Sequence, residues 1–93
     1  MHRYIIERTV PGAGQLDAAA LADLATASNR VLHDLGPDIQ WVHSYVTDDA
    51  ITCVYLADSE ELIREHARCG GFPVDSIRPV GEVIDPLTAE LTL

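Results

Sequence analysis

Residues 38–58 read DIQWVHSYVTDDAITCVYLAD, and this stretch decides the fold. Two runs rich in Val, Ile, Thr, Tyr and Trp flank Asp48-Asp49, a placing of β-formers around turn residues that spells a β-hairpin. Strand side chains alternate between two faces. On that rule Val42, Ser44, Val46, Val54 and Leu56 share the face expected to lie under helices. Trp41, His43, Tyr45, Cys53 and Tyr55 share the other, which gathers an indole, an imidazole, a thiol and two phenols on one surface.

Before the hairpin, Tyr4 to Val10 (YIIERTV) reads as a strand with one face apolar apart from Arg8, and with Glu7 on the other face. Pro11-Gly12-Ala13-Gly14 ends it in a loop. These glycines invite a phosphate-cradle reading, but neither a dinucleotide fingerprint nor a P-loop lysine accompanies them. Asp17 is placed to cap a helix whose apolar stripe runs through Leu21, Leu24, Ala25, Ser28, Val31, Leu32 and Leu35. Gly36 and Pro37 stop that helix. His33 falls off the stripe.

After the hairpin, Ser59 caps a second helix, with Glu60 and Glu61 favouring its positive end. Leu62, Ile63, His66 and Ala67 form its inward stripe, and Gly70-Gly71 ends it before Phe72-Pro73. Ile77 to Ile84 reads as a last strand, interrupted by Pro79 and Gly81 and so expected at an edge or a bulge. Leu87 to Leu93 reads as a tail.

The order β-α-β-β-α-β is that of the ferredoxin-like α+β fold, a four-stranded antiparallel sheet with both helices on one face. The expectation is one domain over residues 1–93, with its core at about 3–86. A bare sheet face carrying Trp41, Tyr45, Tyr55, Ile51 and Ile5 would be a large apolar patch. A two-fold homodimer packed sheet to sheet, a dimeric α+β barrel, would cover it.

Composition narrows the partners. Fifteen acidic against six basic residues give a net charge of −9, the wrong sign for nucleic acid or for an anionic membrane surface. No signal-peptide pattern opens the chain and no apolar run reaches transmembrane length. Two cysteines, Cys53 and Cys69, make no disulfide framework and suit reduced thiols in the cytoplasm.

Two constellations carry candidate chemistry. Cys53 and His43 of the hairpin, with Glu7 from the first strand, offer thiolate, imidazole and carboxylate to a divalent transition metal. Trp41, Tyr45, Tyr55 and Phe72 are candidate ligand-binding aromatics. Against this stands ordinary packing: a buried thiol is often just a small hydrophobe. His66 is the second candidate, an inward-facing histidine beside a Gly-Gly loop, to be read as a ligand, an acid/base group or a core residue. No nucleophile motif is present.

Taken together, YIIERTVPGAG, IQWVHSYVTDD, CVYLAD, EELIREHARCGGFP and VIDP resemble a family of short bacterial nickel-binding and nickel-responsive proteins with a dimeric ferredoxin-like fold. The resemblance spans about residues 4–86, and implies Cys53 and His66 as positions carried over. It departs from the nickel-binding branch at Phe72, where a histidine precedes the proline, and near Glu7 and Arg8, where the first strand offers another. The expected function is a cytoplasmic homodimeric protein that binds a divalent metal, nickel by resemblance, as sensor, buffer or carrier. The alternative is an enzyme or binder of the α+β barrel type, acting on a small aromatic or polyketide-like molecule through His43, Tyr45 and Tyr55.

Overall fold

The first strand, β1 (His2–Thr9), lies between two partners in the computed structural model, which describes residues 1–91. It pairs antiparallel with β3 (Ala50–Ala57) and with the short edge strand β4 (Ser76–Pro79), while β2 (Ile39–Val46) pairs with β3. The sheet order β2-β3-β1-β4 is the one expected of a ferredoxin-like fold. Two helices, α1 (Ala18–Leu35) and α2 (Glu60–Gly70), supply the second layer.

Local chemistry sets the helix ends where the sequence places them. The Asp17 carboxylate accepts from the Ala20 backbone N–H at 2.8 Å, and the Ser59 hydroxyl accepts from that of Leu62 at 3.3 Å. Each satisfies one of the orphan donors of a first turn. Gly71, at φ 68°, supplies the left-handed residue that lets the chain turn off α2. The last strand is shorter than expected. It ends at Pro79, which has no N–H to offer the ladder, and Pro86–Glu90 forms a 3-10 helix capped by Asp85 where a plain tail was anticipated. Residues 92–93 of that tail lie outside the described residues.

The faces of the hairpin differ from expectation in two ways. In β3, Cys53, Tyr55 and Ala57 are buried and enter the core with Ile63 of α2, so the helices cover this face, not that of Val54 and Leu56. Register explains the choice. Tyr55 stands opposite Tyr4, Cys53 opposite Ile6 and Ile51 opposite Arg8, so the apolar face of β1 carries its partners inward.

In β2 the register slips at Val42. Trp41 pairs with Tyr55, but His43 pairs with Val54, leaving one extra residue between them, a β-bulge. Trp41 therefore faces the helices and its indole N–H donates to Ser44 Oγ at 2.9 Å on the same side. His43 and Tyr45 face away, in edge-to-face contact at 4.9 Å. The five side chains expected on one surface are thus divided, with Trp41, Cys53 and Tyr55 inside and His43 and Tyr45 outside. The open face carries Ile5, Val54 and Leu56, all half-buried, beside the exposed end of β2.

Candidate functional site

Beneath the helices the polar residues converge on Arg8. Arg8 is 5% exposed at the end of the apolar face of β1. Its Nη1 donates to the Pro73 carbonyl at 2.7 Å and its Nε to Cys53 Sγ at 3.5 Å, while Nη2 has no partner. The guanidinium also stands 5.7 Å over the Phe72 ring. Phe72 reaches this position because the chain doubles back at the end of α2, its backbone N–H bonding the Ala67 carbonyl at 2.9 Å. Gly70 makes room for the ring: a Cβ there would lie 2.1 Å from it.

His66 sits against the same cluster. It is fully buried, with Nε2 3.1 Å from Ser28 Oγ on α1, Tyr55 at 5.3 Å and Phe72 at 5.1 Å between ring centres. Nδ1 has no partner. Burial, aided by the positive charge of Arg8, pushes its pKa down to about 4, so the ring is neutral at physiological pH. Burial likewise raises the Tyr55 phenol, against the opposing pull of Ser28 and Arg8 beside it.

Above this cluster lies a cavity of about 250 Å³ between α1 and the sheet. Arg8, Cys53, Tyr55 and Phe72 line its buried end, and Trp41 and Ser44 of β2 form one wall. Leu21, Leu24 and Ala25 of α1 close the opposite side. The sequence places Ser28 in the α1 stripe and Arg8 as the exception on an apolar face; both line the cavity, and the signal for Arg8 is its place in line with Tyr4 and Ile6.

The other candidates occupy the open face. The Glu7 carboxylate accepts from Thr52 Oγ1 at 2.9 Å and pairs with Arg78 at 3.4 Å. His43 and Glu7 lie on strands separated by β3, roughly 10 Å apart by strand spacing, and Tyr45 is 59% exposed beside His43. The four proposed metal ligands are therefore split two and two: Cys53 and His66 within, His43 and Glu7 without. Among the described residues no three His, Cys, Asp or Glu side chains meet at metal-binding distance in one chain. In the Gly12-Gly14 loop the Gly12 N–H bonds Asp49 Oδ1 at 2.9 Å and the Gly14 N–H bonds the Asp48 carbonyl at 3.0 Å.

A family model described as "Nickel responsive protein SCO4226-like" matches residues 4–80. The chain belongs to that family. Among solved structures, the crystal structure of SCO4226 from Streptomyces coelicolor A3(2) is similar at a TM-score of 0.74 and 15% identity. The match covers 88% of this chain and 99% of the other, and at that identity it speaks for the fold alone. No curated protein matches. No helix among the described residues is long and apolar enough to cross a membrane.

Proposed function

We propose that this chain is a cytoplasmic nickel-responsive protein that binds the divalent ion between two copies packed through their open sheet faces, as sensor, buffer or carrier. Membership of the nickel-responsive family over residues 4–80 carries the reading. The open face supports it chemically. His43 and Glu7 supply a nitrogen and oxygen donor set that suits a borderline divalent metal. They lie too far apart to share an ion within one chain, since metal–ligand bonds are near 2 Å. A second sheet stacked about 10 Å away brings a symmetric pair of donors within reach of each. The half-buried strip of Ile5, Val54 and Leu56 gives the two copies apolar surface to cover. The net charge of −9 draws cations to the surface.

Seating the ion on the open face departs from the resemblance, which favours Cys53 and His66. Electrostatics supports the choice. A buried guanidinium 3.5 Å from the Cys53 sulfur repels a cation.

Titration with nickel by calorimetry after chelation, together with sedimentation equilibrium, tests the proposal. Binding by the dimer alone is expected, at up to one ion per chain because the two-fold axis repeats each shared His43 and Glu7 pairing, with His43→Ala weakening it at least tenfold and His66→Gln leaving it unchanged. Loss of binding in His66→Gln with His43→Ala intact would move the ion to the helix side, and a monomer that binds nickel would remove the shared site.

A further inference from the structure

We propose that the cavity between α1 and the sheet is a second site, independent of the metal, that binds a small apolar monocarboxylate with its carboxylate on Arg8. A buried guanidinium is costly unless an anion and a full set of acceptors meet it. Arg8 is 5% exposed, and among the described residues no ion pair involves it. One of its donors goes to a carbonyl, one to a weakly accepting thiol, and Nη2 to nothing. The Arg8 fork presents N–H groups in the planar geometry that a carboxylate matches.

The rest of the cavity selects the body of the ligand. Its 250 Å³ equals about eight water volumes of roughly 30 Å³ each, below the roughly 300 Å³ at which drug-sized sites begin. About eight to ten non-hydrogen atoms fit. The walls are apolar and aromatic, with Trp41, Tyr55 and Phe72 offering ring faces and edges. Leu24 and Val46, 40% and 41% exposed, stand at the mouth and give entry from solvent. A dianion such as phosphate is disfavoured by the same walls and by the net charge of −9, whereas a single carboxylate on an apolar body loses less hydration on entry.

Phenylacetate is the probe, with phenylacetamide as its neutral isostere, titrated into the full chain by NMR. The acid is expected to bind with a Kd on the order of 100 µM, in line with small-ligand efficiencies. It should shift the Arg8 Nε–H, the Trp41 indole N–H and the Ala25 methyl, and bind at least tenfold tighter than the amide. Arg8→Gln should erase the preference for the acid. Because that variant removes a buried contact and can unfold, Leu24→Trp gives an independent check: it blocks the mouth without touching Arg8, and should weaken phenylacetate at least tenfold at unchanged melting temperature. Equal binding of acid and amide would overturn the proposal, as would shifts confined to other regions or no binding at 5 mM, well beyond the expected Kd. Nickel affinity is read in the same samples, and its persistence in Leu24→Trp separates this site from the metal site.

Discussion

The two faces of the sheet are built from the same strands yet do opposite work. On one, Tyr4, Ile6, Cys53 and Tyr55 pack into a core with Ile63 and His66, and even the charged Arg8 is pulled under cover. On the other, Ile5, Val54 and Leu56 stay half-buried among residues that water reaches, with His43 and Tyr45 exposed. The difference teaches where each kind of chemistry can reside. The covered face can hold a neutral histidine and an unpaired arginine because its packing is fixed. The open face leaves the His43 ring to solvent, while its Glu7 carboxylate is held at the surface by Thr52 and Arg78.

Neighbouring isoleucines give the sharpest way to break this contrast. Ile6 is fully buried and Ile5 lies one residue away on the opposite face. Ile6→Ala should cost about 3–4 kcal/mol in urea denaturation through the cavity it leaves. Ile5→Ala should cost about 1 kcal/mol at low protein concentration. A two-fold partner on the open face would make the Ile5→Ala loss grow with concentration, and equal losses at all concentrations for both variants would erase the distinction between the faces.

Acid probes the covered face through His66. The unfolded chain protonates this imidazole near pH 6.5, whereas His66 in the fold resists until about pH 4. Protonation in that window therefore favours unfolding. The contribution is whole above pH 6.5 and is lost as pH falls toward 4. It amounts to about 3 kcal/mol in all, of which about 2 kcal/mol is gone by pH 5. Stability curves of wild type and His66→Gln between pH 7 and pH 5 should converge by that amount, and parallel curves would mean the ring is hydrated.

A smaller effect sharpens the same point. Gly70→Ala improves helix propensity but drives a methyl into the Phe72 ring, which is 2.1 Å from the position of the new atom. A net loss of about 1 kcal/mol is expected. The displaced ring also uncovers His66, so the acid sensitivity of this variant should shrink. A stable Gly70→Ala with unaltered pH dependence would show that Phe72 does not seal the histidine.

Much of this architecture was legible in the sequence because its signals are local. Asp17, Ser59, Gly36 and Gly71 mark helix ends by the hydrogen bonds and backbone angles they alone supply, and His66 falls inward by helical spacing with Leu62 and Ile63. The faces of the hairpin were not legible. In AITCVYLA both faces are apolar, so alternation sorts the side chains without saying which set is covered. The pairing with β1 settles that, and it is a long-range fact. The bulge at Val42 has no marker such as glycine, and it divides Trp41 from His43 where strict alternation joins them. Trp41, Cys53, Tyr55 and Phe72 were legible as candidates, but not their meeting with Arg8 under α1, for the same reason: Arg8 and Cys53 lie 45 positions apart, and only the sheet brings them together.

Val42 also bears on how this protein can change. Replacing it swaps one exposed side chain for another, a tolerable edit at the rim of the sheet. Deleting it is a different kind of event, because it takes out the one residue the ladder leaves unpaired. Trp41 and His43 would become direct neighbours in ordinary alternation, the indole still toward the helices and the imidazole and phenol of residues 43 and 45 still on the open face. A lost codon here should therefore straighten the strand and leave the contents of the two faces in place, so this rim position is a slot where the length of the chain can change without a change of register.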